Sequence, residues 1–313
     1  MDRSSAPPWV VVLAGGSGRR LTGVTGGVPK QFWAPMGGRT LLEATLERVA
    51  PLAAPSQRSL VIDASHTTWL HALNGEPRGL RVLRQPCDRG TATGVLLGLV
   101  PALESGRDGV VVLTPADHGV IDTERFRSDL RTTMDRVAGG SERLILFGAE
   151  PDAADADYGW VVCDSVHTAP GVPTRVREFV EKPPPAAVAL LRATGAVWST
   201  MLVVARVSSL LALYRRRLPE LTAVFERVLR LPQAARGSAL VETYGHLAAA
   251  DFSRDLLAHA DGLAVHVWPS SIGWTDLGTP ERLARFVAGL ERARHARQLG
   301  VDVEASGLGA QSA

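Results

Sequence analysis

Trp9-Val10-Val11-Val12-Leu13-Ala14 are six apolar residues in a row, and they run straight into Gly15-Gly16-Ser17-Gly18-Arg19-Arg20. A short apolar run that stops at glycines reads as a strand buried on both faces. Such a strand needs layers above and below it, so this opening points to layered α/β folds. The next residues keep the alternation. Residues 60–62, 80–83, 110–113 and 144–147 are further short apolar runs. Between them, residues 40–49, 91–103 and 123–137 carry helical patterns, the first with Leu41, Leu42, Leu46 and Val49 on one face. The predicted fold class is α/β, a Rossmann-like, mostly parallel mixed sheet with helices on both faces. Right-handed crossovers gather the carboxyl ends of parallel strands on one edge, and ligands of such sheets sit outside that edge.

After residue 150 the pattern is more mixed. Residues 158–163 and 175–180 read as paired strands, 197–205 and 263–268 as later ones. Helices are expected at 186–193, 208–217, 221–231 and 280–298, with loops at 153–157 and 234–238. The small, polar residues 300–313 read as a frayed tail. No linker composition separates two domains, so residues 1–299 are expected to form a single domain.

Hydrophobic residues make up 45% of the 313, enough for a sizeable core. The 34 Lys and Arg nearly balance the 32 Asp and Glu, a net charge of +2. That leaves no field suited to nucleic acid or an anionic membrane surface. Two cysteines, Cys87 and Cys163, exclude a disulfide framework and an all-cysteine zinc site. The start is polar, and its first apolar run is too short for a signal segment or a membrane span, so a cytoplasmic location is expected.

Several motifs carry candidate chemistry. In the turn 15–20, glycines let the backbone approach a ligand, and successive N–H groups can cradle phosphate. A plain tight turn has the same glycines; the two arginines tilt the reading toward an anion. The spacing matches neither the P-loop nor the dinucleotide fingerprint. Lys30, between Pro29 and Gln31, is placed to reach a phosphate as a point charge, although alone it reads as a solvated lysine. Asp117, in Thr114-Pro115-Ala116-Asp117-His118, closes a strand on the ligand edge. It suits Mg²⁺ held by one or two carboxylates plus phosphate oxygens, or else a turn cap. Glu181 and Lys182 end another strand, either converging on one ligand or forming a surface pair. Asp276 precedes a helix start in which Thr279 is the N-cap and Pro280 the first residue.

Taken in order, these pieces resemble the sugar-phosphate nucleotidyltransferases, most closely mannose-1-phosphate guanylyltransferases, over about residues 10–285. The family's A-G-G-x-G-x-R-L, P-K-Q, P-x-D-H, F-V-E-K-P, W-N and G-W-x-D-x-G stand here at residues 14–21, 29–31, 115–118, 179–183, 198–199 and 273–278. Arg89-Gly90-Thr91-Ala92 is similar to the family's stretch near base and ribose. The resemblance implies a nucleotide-binding half at 1–150 and a sugar-binding half with a closing helix at 151–299. It implies that Ala14, Gly15, Gly16, Gly18, Arg19, Gln85, Gly90 and Thr91 bind the nucleotide, with Arg20, Lys30 and Asp117 catalytic. It further implies sugar-phosphate contacts from Gly159, Glu181, Lys182 and Ser199, and Mg²⁺ as cofactor on Asp117 and Asp276. The implied partners are a nucleoside triphosphate, GTP favoured, and a sugar 1-phosphate, with a homodimer open. The implied reaction makes GDP-mannose and releases pyrophosphate. Three positions depart from the pattern: Arg19 replaces a threonine, Ser199 replaces an asparagine, and the glycine-rich loop 22–28 lacks a second arginine. Two rival readings are a nucleotidyltransferase for another sugar phosphate and a non-catalytic, nucleotide-sugar-binding regulatory protein. A cytidylyltransferase of isoprenoid synthesis shares the first two motifs but not the last ones.

Overall fold

The computed structural model describes residues 6–298 except 36, 74–76, 142 and 165–170. The expected tail at 300–313 lies outside the described residues, as does the side chain of Arg19.

Nine strands form one sheet: β1 (Trp9–Ala14), β2 (Arg58–Asp63), β3 (Arg81–Gln85), β4 (Val110–Pro115), β5 (Leu144–Ala149), β6 (Trp160–Cys163), β7 (Thr174–Val180), β8 (Val197–Arg206) and β9 (Ala264–Trp268). Their order is β3-β2-β1-β4-β8-β5-β9-β7-β6, so the fold is the α/β mixed sheet that the alternation predicts. The first four strands are mutually parallel. β8 runs antiparallel between β4 and β5, which returns β5 and its parallel neighbour β9 to the direction of β4. The carboxyl ends of β1, β2, β3, β4, β5 and β9 therefore share one edge.

The pleat of β1 shows why this sequence is a sheet core. Val10, Val12 and Ala14 face one layer, with Leu42, Phe126 and Leu130. Trp9 and Val11 face the other, with Leu96, Leu99 and Tyr214. Alternate residues point to opposite faces, so a strand apolar at every position is buried on both. The helix Leu41–Val49 starts at a capping box, in which the Thr40 hydroxyl accepts from the Glu43 N–H while the Glu43 carboxylate accepts from the Thr40 N–H. The helix Thr123–Ala138 is capped by Asp122. The last helix, Pro280–Gln298, begins where the Thr279-Pro280 pair predicts, with the Arg282 N–H donating to the Thr279 hydroxyl.

One expectation fails. Residues 234–238, read as a loop from Ala-Ala-Arg-Gly-Ser, lie inside the helix Gln233–Tyr244. Small residues with little periodicity hide that helix, and it is held mainly by its end, where Tyr244 is fully buried. No helix among the described residues is long and apolar enough to cross a membrane.

The helix Gly90–Glu104 packs flat on β1 and β2 because Gly98 leaves room. A Cβ there would come within 2.3 Å of the Val11 Cγ1 and 3.1 Å of the Val61 Cγ2. Overpacking of this kind costs about 1–3 kcal/mol. Gly98→Ala should lower the stability read from urea unfolding by that amount with an unchanged m-value, despite alanine's better helix propensity.

Candidate active site

The site grows from loops that leave the common edge. After β1, residues 15–18 turn away from the sheet, and Gly18 adopts φ +62. A Cβ on Gly18 would sit 2.8 Å from the Lys30 Cβ and 2.9 Å from its backbone nitrogen, so the turn and the Pro29-Lys30-Gln31 segment touch. Gln31 fastens that contact. Its amide nitrogen donates to the carbonyls of Ala14 at 2.7 Å and Gly16 at 3.0 Å, and the residue is buried. The glutamine of this motif thus shapes the glycine turn from below, while Gly16 stays open with no heavy atom near a hypothetical Cβ.

Lys30 points the other way. Its ammonium lies 3.0 Å from the Asp117 carboxylate and donates to the main-chain oxygen of Asp276. The side chain is only 8% exposed. The two aspartates meet there because the loops that carry them pair as a short bridge. Gly119 and Thr275 exchange both backbone hydrogen bonds, at 2.9 and 3.1 Å. Burial works against the charge of Asp117, but Lys30, with His118 adding to it, holds the carboxyl below the usual carboxylate range. Burial pushes His118 down to about 4, so it stands neutral at pH 7, edge-on to Trp274.

Asp276 is enclosed differently. Its Oδ1 accepts from the Tyr158 hydroxyl at 2.9 Å, the Gly278 N–H at 3.0 Å and Arg282 Nη1 at 3.0 Å. Its Oδ2 lies 3.1 Å from the same Arg282 nitrogen and 4.0 Å from Arg20. Burial opposes the charge of Asp276 too, and Arg282 leads the groups that keep its carboxyl below the ordinary range. Arg282 in turn pairs with Asp155 and lies 4.3 Å over the Tyr158 ring. The exposed Arg20 pairs with Asp157 at 2.8 Å. Loop 150–158 is thereby tied to the glycine turn and to the last helix at once.

The sugar-side candidates come together by strand register. Trp160 pairs with both Val180 and Trp198. Their neighbours Gly159, Glu181 and Ser199 are therefore adjacent: the Ser199 N–H donates to the Gly159 carbonyl at 2.8 Å, and a Cβ on Gly159 would lie 2.7 Å from the Glu181 carboxylate. Lys182 adopts φ +47 and its ammonium is 3.8 Å from Glu181. A non-glycine residue in the left-handed region is strained, and such strain concentrates at functional positions. Tyr158 links the two groups of residues, stacked on Trp198 at 4.3 Å while its hydroxyl reaches Asp276. The remaining nucleotide candidates line the far end. Gln85 closes β3, and Gly90 opens the helix after it with φ +81. The Thr91 hydroxyl is engaged internally, donating to Asp251 and accepting from the Phe252 N–H.

The nucleotidyl transferase family matches residues 9–292. The chain belongs to that family. The mannose-1-phosphate guanylyltransferase ManC of Salmonella typhimurium is 27% identical over 283 residues, 86% of this chain and 57% of the relative. The alginate biosynthesis protein AlgA of Pseudomonas fluorescens is 27% identical over 272 residues, 86% of this chain and 56% of the relative. The chain thus spans a little over half the length of these relatives. A solved structure from Thermus thermophilus, described as a mannose-1-phosphate geranyltransferase, superposes with a TM-score of 0.78 at 29% identity. The match covers 90% of this chain and 80% of that one.

In this chain the residues fit Mg²⁺ unevenly. Asp117 is partly exposed, beside the open glycine turn, and one carboxylate plus phosphate oxygens is an ordinary Mg²⁺ shell. Asp276 has both oxygens engaged by Arg282. Among the described residues, no group of three or more His, Cys, Asp or Glu is arranged to hold a metal. Phosphate oxygens and waters would have to complete a Mg²⁺ shell at Asp117.

Three residues that build the site went unmarked in the sequence: Gln31 as a support, Tyr158 and Arg282. Gln31 sits inside a motif that was recognised, and Tyr158 directly precedes Gly159. Arg282 carries no local signal, since a basic residue in a helix's first turn reads as surface. Gln31→Met keeps the length but leaves two carbonyls without their donor. An unpaired buried polar group costs about 1–3 kcal/mol. The variant should lose that much stability, measured by urea unfolding.

Proposed function

We propose that the chain transfers a nucleotidyl group from a nucleoside triphosphate to a sugar 1-phosphate with release of pyrophosphate, with GTP and mannose 1-phosphate giving GDP-mannose. The observation that carries this reading is the Lys30 ammonium, shared between Asp117 and the Asp276 main chain at the edge where the glycine turn opens. The mannose assignment draws support from the relatives named above and from the Phe179-Val180-Glu181-Lys182-Pro183 segment.

The sugar-phosphate oxygen attacks the α-phosphorus in line, the bond to the β-phosphate oxygen breaks, and pyrophosphate leaves with that electron pair. The attacking oxygen is already anionic, so no general base is required. What remains is positioning and offsetting of charge. Lys30 is rigidly held, its backbone packed on Gly18 and its cation on Asp117 and the Asp276 main chain, and the turn's backbone N–H groups would meet the phosphates. Arg20 reaches the same mouth, and releasing Asp157 would free its guanidinium for a phosphate oxygen. In this reading Glu181 and Ser199 would meet sugar hydroxyls, and Lys182 the sugar's phosphate. Mg²⁺, held by Asp117 with triphosphate oxygens, would supply further neutralisation of phosphate charge. A cytoplasmic setting is part of this reading, supported by Cys87 and Cys163, both free thiols.

One observation favours the regulatory reading instead. Arg282 occupies both oxygens of Asp276, and Asp157 occupies Arg20, so two site groups are already paired within the protein. A pyrophosphate-release assay with nucleoside triphosphates against sugar 1-phosphates separates the two. Turnover with GTP and mannose 1-phosphate is the expected result. Binding of GDP-mannose without turnover of any pair would establish the regulatory protein.

Asp117→Ala should remain folded by circular dichroism and lose on the order of 10²–10³ in kcat, the typical cost of one preorganised charge-stabilising group. Turnover near wild type would remove Asp117 from the mechanism.

A further inference from the structure

The base end of the proposed nucleotide site contains a contact that sets its hydrogen-bonding polarity. Gln85, at the carboxyl end of β3, is 7% exposed. Its amide lies between two glycines. A Cβ on Gly15 would be 2.4 Å from its Nε2, and a Cβ on Gly94 would be 2.8 Å from its Oε1. The nitrogen thus faces the glycine turn and the oxygen faces the helix Gly90–Glu104. The oxygen accepts from the Tyr244 hydroxyl at 2.9 Å. Among the described residues, no atom accepts a hydrogen bond from the Gln85 amide nitrogen.

Tyr244 is itself completely buried. Its hydroxyl keeps its proton, because burial and the neighbouring acidic groups push it above its ordinary value. A buried O–H must place that proton on an acceptor. Gln85 Oε1 is the acceptor offered among the described residues. With the amide reversed, the hydroxyl would accept from NH₂ and its own proton would be stranded. Tyr244 therefore holds the amide with its oxygen inward and its two N–H donors toward the site. The tyrosine is fixed from behind by the same segment. Arg89 donates to the carbonyls of Tyr244 and Gly245, and Ala250 and Arg89–Ala92 exchange backbone hydrogen bonds at 3.1 and 3.0 Å.

We propose that Tyr244 is a positioning residue that makes Gln85 a fixed donor, so that the site selects a base with an exocyclic oxo group and rejects one with an amino group there. This rests on the nucleotide-binding reading above. A guanine O6 accepts from the amide; the adenine 6-amino group meets a second donor. A site built around one hydrogen-bonding polarity rejects the wrong partner because its buried groups are left unpaired. The 2-amino group plays no part in this contact, so hypoxanthine should be accepted like guanine.

Binding of GDP, IDP and ADP by isothermal titration tests this without turnover, on wild type, Tyr244→Phe and Gln85→Met. In wild type, GDP and IDP should bind within a few-fold of each other, and ADP at least about tenfold more weakly. Tyr244→Phe removes one oxygen and frees the amide to turn over. Its GDP-to-ADP ratio should fall toward one through a gain in ADP binding, a change that simple loosening of the fold would not produce. Gln85→Met should lose the ratio through a loss of GDP binding. Equal binding of ADP and GDP by wild type, or an unchanged ratio in Tyr244→Phe, overturns the proposal. Wild type that binds none of the three nucleotides would sink the nucleotide-site reading itself, which separates the two failures.

Discussion

The buried Lys30 ammonium is the contact on which the site depends. It comes from the N-terminal part of the chain, yet it donates to a main-chain oxygen of Asp276, far along the sequence, while its charge is met by Asp117. A buried cation is costly unless paired and hydrogen-bonded, so these three elements are obliged to stay together. The Gly119–Thr275 bridge gives the same meeting a backbone form. Once Lys30 is fixed, the glycine turn is fixed as well, because Gly18 packs on it and Gln31 holds two of the turn's carbonyls.

Around that centre, opposite charges are paired several times over. Loop 150–158 contributes Asp155 to Arg282 and Asp157 to Arg20, while Arg285 pairs with Asp152. The exposed pairs contribute little stability. They matter as placement: Arg20, Arg282 and Arg285 each face a carboxylate of loop 150–158, which ties that loop to the glycine turn and the last helix. Arg282 differs from the others because it is buried and takes both oxygens of Asp276. In the free protein Asp117 is the more accessible of the two carboxylates.

Tyr158 and Tyr244 play parallel parts at opposite ends. Each is buried among apolar rings or helix residues and spends its hydroxyl on a candidate site group, Asp276 in one case and Gln85 in the other. Rigid rings thereby orient flexible polar side chains, as preorganised sites require.

The amino-acid order alone makes the layered α/β fold legible, because strands apolar at every position, such as Trp9–Ala14, can be stable only between two layers. It also marked the Gly15–Gly18 turn, Lys30, Asp117, Glu181 and Asp276, since those residues sit at strand or helix ends with recognisable neighbours. The helix over residues 234–238 is not legible in the sequence, because their small side chains carry no helical period. Arg282 and Tyr244 left no sign, because their partners are distant: Tyr244 meets Gln85 across 159 positions and Arg282 meets Asp155 across 127. Tertiary structure alone decided which polar groups face each other. Burial, once the chain has closed, demands a partner for every polar atom, and only the folded path brings candidates from separate loops within hydrogen-bonding reach.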